Sequence, residues 1–61
     1  MPEYTLYVLK GNKLLEIYWL DNFEIAYLKI LQELENPTFP NATSIVVRKN
    51  YKIIAKIDYF K

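Results

Sequence analysis

The sequence predicts a small α+β domain of order ββαββ, a four-stranded, mainly antiparallel sheet with one helix packed on one face. Three observations carry this. Two pairs of runs rich in aromatic and branched residues are each interrupted by a turn dipeptide. Between the pairs the apolar spacing changes from two residues to 3.6. No repeat, linker or low-complexity stretch divides the 61 residues, so one domain, 1–61, is expected.

Strands 1 and 2 are expected over about 4–10 and 14–20. Gly11-Asn12 lies between them, and Gly at the first central position of a two-residue hairpin loop takes positive φ at no cost. Asp21 is a suitable N-cap, and Glu24 three residues on completes a capping-box-like pair. From there Phe23, Ala26, Tyr27, Ile30, Leu31 and Leu34 form one stripe of a helix over about 22–35. Pro37 drives Asn36 out of helical geometry and ends it. Strands 3 and 4 are expected over about 43–49 and 51–59. Their turn is at Lys49-Asn50, because Asn is the best non-Gly residue at positive φ. Order 2-1-3-4 suits two hairpins; parallel pairing of strands 1 and 4 is the alternative.

Alternation within strands assigns the faces. Leu6, Val8, Leu15, Ile17, Trp19, Ile45, Val47, Ile53, Ala55 and Ile57 are expected under the helix. The opposite face would then hold Thr5, Tyr7, Leu9, Leu14, Glu16, Tyr18, Leu20, Val46, Arg48, Lys52, Ile54 and Lys56. That is apolar for a surface meant only for water, and contiguous apolar patches often mark binding surfaces. Four strands span roughly 19 Å at a 4.8 Å spacing, while one helix is about 10–12 Å across, so even the core face is incompletely covered.

Composition limits the chemistry. Cys and His are absent, which removes disulfides, zinc sites, the commonest general base and the best nucleophile. The single Gly lies in the first turn, so no phosphate loop is possible. Acidic ligands are too scattered for an oxygen-only metal site. A chain this short leaves little room for a pocket of about 300 Å³. No enzymatic activity, catalytic residue, cofactor, metal or small-molecule substrate is expected. Met1-Pro2-Glu3-Tyr4 has no basic stretch leading into an apolar run, and no apolar stretch has the length of a membrane span. A cytoplasmic protein is expected.

Net charge is +1 but unevenly placed. Residues 1–42 carry three lysines against six acids, a net −3; residues 43–61 carry Arg48, Lys49, Lys52, Lys56 and Lys61 against Asp58, a net +4. The expected function is protein–protein interaction, as adaptor, regulator or inhibitor, with the chain itself in a homodimer, or another protein docked on the open sheet face, as partner. Its interface would use Tyr7, Tyr18, Leu20, Val46 and Ile54, rimmed by Arg48, Lys52 and Lys56. One alternative is nucleic-acid binding through Tyr7, Tyr18, Arg48, Lys52 and Lys56, with cations on phosphates and rings on bases. A pI of 7.9 is low for that role. The other alternative is a structural subunit of a larger assembly.

Overall fold

The computed structural model describes residues 2–59; Lys61, counted above with the basic segment, lies outside them. The elements follow the expected order: β1 (Tyr4–Lys10), β2 (Lys13–Leu20), α1 (Phe23–Glu35), β3 (Ser44–Lys49) and β4 (Lys52–Asp58). One antiparallel sheet of order β2-β1-β3-β4 results, so strands 1 and 4 are not paired. Both hairpins close through two-residue loops. Gly11 takes φ 58° in the first and Asn50 takes φ 59° in the second, where the loop is Asn50-Tyr51, one residue beyond the expected turn. Among the described residues no helix is long and apolar enough to cross a membrane.

The helix begins one residue later than its capping signal suggests. Asn22, in extended geometry, is the N-cap, and its Oδ1 accepts from the Ile25 amide at 2.9 Å. Glu24 then falls at the second helical position, where it complements the helix dipole instead of closing a capping box. At the other end the amide of Asn36, the residue before Pro37, donates to the Gln32 carbonyl at 2.8 Å.

The core lies on the helix side of the sheet, centred on β1 and β3, and α1 covers its β1–β2 part. Leu6, Val8 and Ile45 are fully buried, Val47 and Ala26 nearly so, and Tyr4, Leu20 and Ala42 close the cluster. α1 approaches β1 and β2 but neither β3 nor β4. It meets the sheet through Ala26, Ile30 and Glu33, a phase rotated from the expected stripe, and Phe23, Tyr27 and Leu34 remain exposed. Glu33 lies on this rotated face: its side chain is wholly inaccessible and lies under the helix. There its Oε2 meets Lys29 Nζ at 3.3 Å and accepts from the Thr38 hydroxyl at 2.8 Å. Lys29 in turn sits 4.0 Å from the Tyr18 ring centroid on β2. Phe23 stacks with Tyr27 and tilts against Tyr4, which shields part of the overhanging stripe.

Tyr59 follows β4 and packs against the core, with its hydroxyl buried and without a hydrogen-bond partner among the described residues. Desolvation, then the negative charge of Glu33 and the proximity of Tyr18, hold its pKa above the ordinary 10.0. The unfolded chain therefore releases this proton at lower pH than the folded one. The stability contribution is full below about pH 10 and falls as pH rises through the raised folded value. Tyr59→Phe is expected to flatten that alkaline decline. Deleting an unpaired buried hydroxyl should leave stability at neutral pH unchanged or up to about 1 kcal/mol higher. Urea unfolding at about pH 7 and pH 10.5 checks both; an undiminished slope in the variant would contradict the assignment.

Candidate functional site

The sheet face turned away from α1 has no covering element among the described residues, and pairing register fixes which residues share it. One row runs Ile17–Tyr7–Val46–Lys56 across the four strands, and the next runs Trp19–Thr5–Arg48–Ile53. Beyond the first row lie Leu14, Leu9, Ser44 and Asp58. Trp19 is 66% exposed and Ile53 61%, with Leu14 also open to solvent. Tyr7, Leu9, Ile17 and Val46 are half-buried between them. The face is thus a low apolar floor with a large aromatic knob at one edge.

Tyr7, Val46, Arg48 and Lys56 stand on this outer face as expected. Tyr18 and Leu20 do not: they face the helix, with Leu20 buried and Tyr18 under Lys29. The cause is a bulge. Val8 pairs with Glu16 but Leu9 pairs with Leu14, so Leu15 is an extra residue and every later residue of β2 changes side. Ile17 and Trp19, expected in the core, replace them on the outer face, while Leu15 itself packs on the core. A second bulge, on β4, acts likewise. Val47 pairs with Ala55 but Arg48 pairs with Ile53, which leaves Ile54 without a partner on β3. Ile53 moves to the outer face. Lys52, opposite Lys49 and in line with Tyr4, moves to the helix side.

Arg48 is committed within the fold. Its Nη1 donates to the Tyr7 hydroxyl at 3.3 Å and its Nη2 to the Tyr51 carbonyl at 3.1 Å, and its Nε is buried. The guanidinium carbon is 6.0 Å from the Tyr7 ring centroid, and Thr5 beside it is only 8% exposed. Among the described residues Lys56 is then the one cation of the two rows without a partner, and Asp58 follows it on the same face. Lys49, on the helix side, pairs with Glu3 at 3.5 Å and lies over Tyr4. The basic C-terminal hairpin of the sequence is therefore split between two faces of the molecule.

Clefts flank the sheet, and two of them are lined wholly by described residues. Pro2, Glu3, Thr5, Trp19, Asn50 and Tyr51 line one of about 250 Å³ at the outer-face end. The other, about 490 Å³, lies beside the β1–β2 turn and is larger than the roughly 300 Å³ for which so short a chain is expected to leave little room. Among the described residues no three acidic side chains gather as a metal site would require. No family model, curated protein or solved structure matches the chain.

Proposed function

We propose that the protein is a protein–protein interaction module whose binding surface is the outer sheet face, with a second copy of the chain as its first partner. The observation that carries this reading is Trp19, two-thirds exposed on an uncovered apolar face, in a row ending at the equally exposed Ile53. Isolated exposed hydrophobics need no explanation, but a contiguous set with an aromatic anchor is the composition of an interface. The edges of the sheet favour pairing through the face over sheet extension. Each edge strand carries a bulge, and charged residues stud both: Lys13 and Glu16 on β2, Lys52, Lys56 and Asp58 on β4. Bulges and edge lysines are the devices that discourage strand-to-strand addition.

Size sets the expected strength. Four strands of about seven residues make a face of roughly 400 Å², so two copies packed face to face remove well under the 1,200 Å² at which stable complexes begin. Association should be reversible, with a dissociation constant in the micromolar range or weaker. Light scattering over a hundredfold dilution tests it. A concentration-dependent shift between one and two chain masses, insensitive to salt, supports the reading. A strict monomer at millimolar concentration would remove the second copy as the partner. Nucleic-acid binding is less well supported, because Arg48 is engaged and Tyr18 and Lys52 lie on the other face.

A further inference from the structure

The larger cleft lies away from the outer face, and its walls are two segments held together by hydrogen bonds. The Gly11 amide donates to Thr43 Oγ1 at 2.8 Å, and the Thr43 amide donates to the Leu9 carbonyl at 2.8 Å. These bonds fasten the β1–β2 turn to the segment that leads into β3. The Ala42 amide donates to the Phe39 carbonyl at 3.0 Å, so the loop carrying Phe39, Pro40 and Asn41 is itself a closed turn. Leu15, displaced inward by its bulge, and Phe39 are both half-buried against the core and give the cleft an apolar floor. Its lining has only two charges, both positive: Lys10 and Lys13.

Those two lysines are directly opposed across the hairpin, a placement in which like charges repel. Neither makes an ion pair with a carboxylate among the described residues, where the pairs formed are Lys29–Glu33 and Lys49–Glu3. An anion held between the two ammonium groups would relieve that repulsion. A phosphate monoester carries nearly two negative charges at neutral pH and accepts from several donors, so it matches two ammonium groups better than a single carboxylate does. The rest of the lining, Phe39, Pro40 and Leu15 with the Asn41 amide, suits a flat, largely apolar body with a few polar edges. A volume of about 490 Å³ lies within the range of small-ligand sites.

We propose that this cleft binds a small organic phosphate of nucleoside-monophosphate size, its phosphate between Lys10 and Lys13 and its ring against Phe39 and Pro40. The site is independent of the sheet-face reading, since its floor lies on the helix side. Adenosine 5′-monophosphate, titrated at low salt into the full chain labelled with nitrogen-15, is the probe. Saturable amide shifts are expected at Lys10 to Leu15 and at Phe39 to Asn41, with a dissociation constant of about 0.1–1 mM for so open a cleft. The Lys10→Gln/Lys13→Gln double variant should weaken binding at least about tenfold while the remaining amide spectrum is unchanged. Adenosine and inorganic phosphate, tested separately, should each bind at least tenfold more weakly than the nucleotide (about 1.4 kcal/mol). No saturable shift at the cleft up to about 10 mM, a weaker limit than any useful site, would overturn the proposal. So would equal binding of inorganic phosphate, which would show mere anion attraction, or an unweakened double variant.

Discussion

Trp19→Glu is expected to leave the chain folded and abolish its self-association. The side chain is 66% exposed, so its loss removes little burial, and surface substitutions of this kind usually change stability by within about 0.5 kcal/mol. At the interface the same change removes the largest apolar surface on the face and sets a carboxylate against an apolar partner. Truncated aromatic anchors commonly cost 2 kcal/mol or more in binding, and the introduced charge adds to that. A rise of about 100-fold in the dissociation constant follows, which takes a micromolar value to about 0.1 mM and leaves the variant monomeric at the micromolar concentrations where the native chain pairs. Circular dichroism and light scattering on the same sample separate the two effects. A folded variant that still dimerises would eliminate the outer face as the contact.

The register allows a sharper version. Trp19 and Ile53 end the same row on opposite edges of the sheet. A two-fold axis lying in the interface parallel to the strands would therefore set Trp19 of each copy over Ile53 of the other. An isologous contact of this kind is self-complementary. Trp19→Glu mixed with Ile53→Lys should then form a mixed pair, with one new charge pair and one native contact, while neither variant pairs with itself. Mixed pairs would fix the orientation. Their absence, with both variants monomeric, would place the same face in a different rotation.

This prediction depends on a residue that alternation alone assigns to the core, and the reason is specific. Element order, both hairpins and the helix limits were legible, because Gly11, Asn50 and Pro37 act on the backbone locally, and their effects survive any change in packing. The faces of β1 and β3 were legible too, since neither strand contains an inserted residue. On β2 and β4 a single extra residue reverses every assignment on one side of it. Each bulge falls in an adjacent apolar pair, Leu14-Leu15 and Ile53-Ile54, but Ile17-Tyr18-Trp19-Leu20 is a longer unbroken run without one, so the pairs alone do not mark the bulges. Of the expected interface, Tyr7, Val46, Arg48 and Lys56 stand together on the outer face, whereas Tyr18, Leu20 and Lys52 crossed to the other side with the register. The commitment of Arg48 to Tyr7 and Tyr51 is a three-dimensional fact with no local signature. Glu33 is different: a helical wheel sets it beside Ala26, and only its residue type assigns it to solvent, because fully buried glutamates are rare.

Glu33→Ala is expected to be the most damaging single change to the fold outside the apolar core. A domain of this length has a total stability of about 3–9 kcal/mol. The carboxylate is fully enclosed and receives three partners: Lys29 Nζ, the Thr38 hydroxyl and the Thr38 amide at 3.3 Å. Removing it takes two hydrogen bonds from Thr38, an exposed residue whose donors water can partly satisfy, and leaves a void under the helix. Lys29, about a quarter exposed, can turn toward water, so the cost falls below that of a fully enclosed pair; about 2–4 kcal/mol is expected. Urea unfolding measures it. The damage should also be local before it is global. Thr38 leads directly into Phe39, Pro40 and Asn41, so its release frees the cleft wall while the sheet persists. Amide exchange at Ala42 and Thr43 should then accelerate by more than exchange at Leu6 or Val47, which lie at the centre of the core. Uniform acceleration across all four would mean that Glu33 supports the whole fold without a special role in the loop. Conversely, a loss of stability under about 1 kcal/mol would mean that water replaces the carboxylate at Thr38, and that the helix phase is set by the Tyr4–Phe23–Tyr27 stack instead.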